Sequence, residues 1–97
     1  MKHKWEIRER VKLEEMLTGL AEESAELAQA ALKYRRALFQ TSYTPVGEDE
    51  AYERLCEEIA DVLLYVDVLD VNIHRVTEIE NEKEARWLER LRQCQQH

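Results

Sequence analysis

The chain has 97 residues, enough for one domain with a modest core. With 36% charged residues, two glycines and one proline, its composition favours long helices over strands and turns. A formal net charge of −7 argues against a nucleic-acid polymer as partner, because a phosphate backbone calls for surplus Lys and Arg; a small phosphorylated ligand held through a metal ion stays open.

The first ten residues, MKHKWEIRER, contain no apolar segment of the kind a secretory signal needs. No apolar run approaches the ~18 residues of a membrane span. Residues 4–39 read as helix, with a break expected near Thr18 and Gly19, the only interior breaker. Residues 40–49 (QTSYTPVGED) hold the proline and the second glycine and form the one clear loop. A helix is expected over 48–71, then a short connection over 72–76. Thr77 followed by Glu80 fits a capping box and would open a last helix over 78–95. The expected fold is all-α, an antiparallel bundle of three to four helices in a single domain, 1–97. Cys56 and Cys94 lack metal-ligand spacing and read as free thiols, Cys56 as a small core residue, which fits a reducing, cytoplasmic setting.

The two central helices carry the chemistry. On a helical wheel with Leu20 at zero, Leu20, Leu27, Ala31 and Leu38 mark the expected core face, flanked by Leu17, Ser24 and Ala28. Glu23 and Glu26, three residues apart, fall at about 300° and 240° on one flank of it, and Glu22 lies further round at about 200°. With Ile59 at zero, Tyr52, Leu55, Ile59, Val62, Leu63 and Val66 form the expected core face of the next helix. Glu58 and Asp61, again three apart, fall at about 260° and 200°, with Tyr65 between them at about 240° and Glu57 turned further out. Either acidic pair alone reads as a solvated flank. Two pairs at one spacing, on helices expected to pack antiparallel, bring four carboxylates to the edge of one core. Four such charges repel strongly unless a cation joins them. Oxygen-only ligands select a hard ion, Mg²⁺ or Mn²⁺.

EESAE (22–26) and EEIAD (57–61), followed by the apolar run ADVLLYVDVL, resemble the paired E-E-x-x-E and E-x-x-D signature of the MazG-type all-α nucleoside triphosphate pyrophosphohydrolases. The resemblance covers roughly residues 17–69, and the Arg-rich segment NEKEARWLERLRQ resembles the last helix of short, phage-type members. It implies Mg²⁺ at Glu23, Glu26, Glu58 and Asp61, which would also be the catalytic carboxylates. It further implies hydrolysis of a nucleoside triphosphate to the monophosphate and pyrophosphate. The spacer between the two blocks is longer than usual, so substrate selection would differ accordingly. Phosphoribosyl-ATP pyrophosphatase shares a similar second block but matches less well around the first.

Tyr65 is a candidate to stack on a base or sugar, or else a core-edge Tyr. Lys83, Arg86 and Arg90 share one face of the last helix; Lys83 and Arg86 would hold leaving phosphates, unless this is a plain basic face. Trp5 would lid the site or pack in the core, and His74 falls in a connection. Leu64 and Val68 lie off the expected core stripe and suggest a second buried face, hence a homodimer or homotetramer. Two readings compete with the enzyme. A non-catalytic helical interaction module explains the amphipathic helices but not the paired carboxylates. A carboxylate-bridged di-iron bundle would need E-x-x-H pairs, and neither block supplies one.

Overall fold

The computed structural model describes residues 3–39 and 47–95. Among these there are four helices and no strand: α1 (Lys4–Arg10), α2 (Leu13–Phe39), α3 (Glu48–Leu69) and α4 (Ile73–Gln95). The expected all-α class is what the chain adopts. Residues 40–46 of the expected loop lie outside the described residues, and Glu48 and Asp49 already belong to α3.

Helices α2 and α3 form the main packed unit. They run antiparallel: Tyr34 lies against Tyr52 (ring centroids 5.5 Å apart), Glu23 and Glu26 meet Glu58, and Gly19 meets Tyr65. The residues sealed between the helices are small ones, Gly19, Ala30 and Ala37 on α2 and Ala51 on α3, with Met16 and Val68 at the far end. Small side chains let two backbones approach closely, and this sets the direction in which each helix faces its partner.

That direction differs from the expected one. Leu17 is 52% exposed and Leu63 61%, and Leu38, Tyr52 and Ile59 also face outward, although all five stand on the expected core faces. On both wheels the packed face is turned back by about 60–90°, toward the carboxylates. In an antiparallel pair, equal turns on both helices carry the two displaced apolar strips to one side of the pair and the acidic flanks to the other.

The break expected at Thr18–Gly19 falls instead at Val11–Lys12, and α2 passes through Gly19 without interruption. Gly19 is there for space: a Cβ at this position would run into the outer edge of the Tyr65 ring. Helix α1 lies across the end of α3. The Arg8 guanidinium donates from Nε to the Val68 carbonyl (2.6 Å) and from Nη2 to the Asp67 carbonyl (3.0 Å), and pairs with the Asp70 carboxylate at 3.2 Å. It thereby meets carbonyls that a helix end leaves open. Asp70 itself ends α3 in the left-handed conformation (φ 57°), so α3 stops at Leu69 rather than at residue 71. Val68 is buried here, within this one chain, which removes it from the second face expected from the sequence; Leu64 remains exposed.

The connection to α4 is shorter than expected. Asn72 caps the helix, its Oδ1 accepting from the Arg75 N–H at 3.2 Å. Helix α4 therefore starts at Ile73, and the anticipated capping box at Thr77 and Glu80 lies inside it. His74 is a helical, exposed residue rather than part of a connection. Helix α4 packs against none of the other three. Its Ile73, Val76, Trp87, Leu88 and Leu91 are all exposed. The radius of gyration is 17.4 Å, against about 12–13 Å for a compact chain of this length.

Candidate metal centre

The carboxylates of Glu23, Glu26 and Glu58 converge between α2 and α3, each offering an oxygen within 4.8 Å of the others. Glu58, on α3, is the most enclosed, at 6% exposure. Glu23 is half-buried and Glu26 exposed, so the cluster opens to solvent on the α2 side. Asp61, one turn beyond Glu58, is half-buried, charges against Glu23 and lines the same cavity as it, outside the three-membered cluster. Glu22 and Glu57 point to solvent, as their wheel positions require.

The electrostatics are unfavourable without a counter-charge. Burial, then the charges of Glu26 and Asp61, then a side-chain hydrogen bond to Glu58 and the charge of Glu58, push the Glu23 carboxyl up from 4.5 to about 7. One oxygen of Glu23 and one of Glu58 are enclosed with no hydrogen-bond partner. Buried polar atoms are ordinarily paired, and two orphaned carboxylate oxygens on residues of one acidic cluster fit a cation there. The donor set is all oxygen, which suits a hard divalent ion. Two basic residues, Lys33 and Arg54, share a cavity with Glu26 and Glu58. The three ion pairs among the described residues involve other side chains.

The other residues singled out from the sequence divide. Tyr65 is half-buried beside Gly19 and lines a cavity with Glu23 and Asp61. Trp5 is exposed, with the Arg8 guanidinium over its ring at 4.4 Å, and does not line the cavities beside the carboxylates. Lys83 and Arg86 stand on α4, which does not approach the α2–α3 pair, so the chain does not bring them to the carboxylates. Lys33 and Arg54 were not singled out for this position. A signal existed: they fall near 220° on their respective wheels, on the same flanks as the acidic pairs.

Comparison of the chain with protein-family models, with curated proteins and with solved structures found no match.

Proposed function

We propose that the chain is a Mg²⁺-dependent nucleoside triphosphate pyrophosphohydrolase of MazG type. The observation that carries this reading is the pair of enclosed, unpartnered oxygens on Glu23 and Glu58, converging with Glu26 where two acidic blocks at one spacing meet. Glu23, Glu26 and Glu58 would hold the ion, with Asp61 completing the set from the next turn. Mg²⁺, or Mn²⁺, held there would supply the positive charge that offsets charge developing on the phosphates in the transition state. The protein's own part is to fix those oxygens before substrate arrives and to accept a proton. In the reaction, water adds to the α-phosphorus as the bond from that phosphorus to the α–β bridging oxygen breaks. That oxygen leaves with pyrophosphate, and the water proton passes to a carboxylate, Glu23 or Glu26. The site of cleavage rests on the motif resemblance.

The expected products from a nucleoside triphosphate with Mg²⁺ are the monophosphate and pyrophosphate, separated by anion-exchange chromatography. Diphosphate and orthophosphate as main products would overturn the assignment, and so would full activity in excess chelator.

The same reading includes self-association. The accessible surface is 8252 Å², against about 5,800 Å² for a compact protein of this mass. The excess is comparable to what one protomer loses in a large obligate interface. The exposed apolar strips of α2 and α3, on the side away from the carboxylates, and the unpacked α4 are the surfaces a second copy would cover. Light scattering is expected to give a dimer or tetramer; a monomer at tens of micromolar would count against it. No helix is long and apolar enough to cross a membrane among the described residues.

A further inference from the structure

Two cavities flank the carboxylates along the α2–α3 groove, and they differ in kind. On the side toward the Phe39 end of α2, about 210 Å³ is lined by Lys33, Arg54 and Gln29 together with Glu26 and Glu58. On the side toward α1, about 300 Å³ is lined by Ile7, Val11, Met16 and Tyr65 together with Glu23 and Asp61. The first cavity shares Glu26 and Glu58 with the cluster and the second shares Glu23, with Asp61 beside it, so the carboxylates form the common wall between a cationic end and an apolar, aromatic end.

We infer that the groove takes its ligand in one direction, with a polyphosphate tail toward Lys33 and Arg54 and an aromatic nucleoside end toward Ile7, Met16 and Tyr65. This rests on the metal reading above and adds the residues that sort the two ends. Arg54 stands one turn from Glu58 and Lys33 two turns from Glu26, about 6 and 10 Å along the helices. Tyr65 stands one turn from Asp61 on the other side, and Met16 two turns from Glu23, at the same intervals. A ligand centred on the carboxylates therefore meets two cations without an ion pair among the described residues in one direction and an aromatic ring with aliphatic side chains in the other. Cations paired with neither Glu26 nor Glu58 are available to phosphate oxygens, where charge-assisted hydrogen bonds are strongest. An aromatic base gains from the opposite wall by area burial and ring packing. The arrangement also separates the leaving group from the retained one. The tail beyond the carboxylates departs as a unit, and the phosphate on the nucleoside side stays with the sugar. Within the described chain, Lys33 and Arg54 thus take the position that Lys83 and Arg86 do not reach.

The test uses the full chain and probes that are not cleaved at the α–β linkage. Mn²⁺ alone is titrated by electron spin resonance. Inorganic tripolyphosphate and the α,β-methylene analogues of ATP, GTP, CTP and UTP are then titrated by calorimetry in saturating Mn²⁺. Wild-type protein is expected to bind Mn²⁺, to bind tripolyphosphate, and to bind at least one analogue more tightly than tripolyphosphate. The double variant Lys33→Ala/Arg54→Ala, altered only at exposed positions, keeps its helicity and its Mn²⁺ affinity and loses about tenfold or more in tripolyphosphate affinity. Ile7→Ala and Tyr65→Leu keep tripolyphosphate affinity and narrow the margin by which the best analogue exceeds it. Unchanged tripolyphosphate binding in the double variant overturns the inference while leaving the metal site standing. The inference also fails, with the metal site intact, if no analogue outbinds tripolyphosphate, or if Ile7→Ala and Tyr65→Leu weaken both probes equally. A wild-type chain that takes up no Mn²⁺ overturns the metal reading and this inference together.

Discussion

Replacing Glu58 by Gln is expected to lower Mg²⁺-dependent pyrophosphate release by about a hundredfold or more, whereas Glu57→Gln should cost only a few-fold. Even an outer partner of a bound metal typically costs about 10–100-fold when removed, and a direct ligand belongs at or above the top of that range. The two positions are adjacent on α3, so charge and helix propensity change almost equally. What differs is where the side chains go. Glu58 is nearly sealed against α2, with one oxygen orphaned beside Glu23 and Glu26, and Glu57 stands in solvent. Unfolding does not confound the comparison. Removing one negative charge from a crowded cluster relieves repulsion, so the metal-free Glu58→Gln protein should melt higher than wild type. Loss of activity with gained stability is the signature of a ligand. Equal losses at residues 57 and 58 would remove Glu58 from the site.

The acidic pairs were legible because a spacing of three on a helix fixes neighbours whatever else the helix does. The wheels place Glu23, Glu26, Glu58 and Asp61 on inner flanks and Glu22 and Glu57 outside; Glu58 is buried, Glu23 and Asp61 are half-buried, and Glu22 and Glu57 are exposed, while Glu26 is exposed as well. The rotation of the helices was not legible from hydrophobicity. A wheel weighted by apolar size points at Leu17, Leu38, Ile59 and Leu63, yet the α2–α3 contact is made through Gly19, Ala30, Ala37 and Ala51. Small residues carry little weight on such a wheel but decide how closely two backbones approach. The larger side chains stay exposed beside that contact. The same applies to α4. Its amphipathic pattern forecasts a helix correctly, but an apolar stripe does not say that the helix packs on α2 or α3, and it does not. The cap is ambiguous for a local reason: Asn72 starts the helix five residues before Thr77, and both positions satisfy simple capping patterns.

Saturating Mn²⁺ is expected to raise the melting temperature by about 10–20 °C at pH 8, and by much less at pH 5. An ion that binds only the folded chain adds about 2.7 kcal/mol at a hundred times its dissociation constant, and a domain of this size gains about 4–8 °C per kcal/mol. The pH dependence follows from Glu23. Its carboxyl titrates near 7 when folded, above its ordinary 4.5, so the folded chain holds a proton that the unfolded chain has released. The metal-free protein therefore loses stability as pH rises from about 4.5 to about 7 and levels off above that window. An ion must displace this proton, so its affinity climbs through the same window and proton release on binding disappears above it. The two trends have opposite sign: alkaline pH leaves the empty site least stable and the filled site most strongly bound. Glu23→Gln should flatten both, giving a metal-free protein whose melting temperature changes less between pH 5 and 8 and a Mn²⁺ shift that largely vanishes. A Mn²⁺ shift equally large in Glu23→Gln would place the ion elsewhere, and a wild-type shift that shrinks as pH rises would contradict carboxylate ligation.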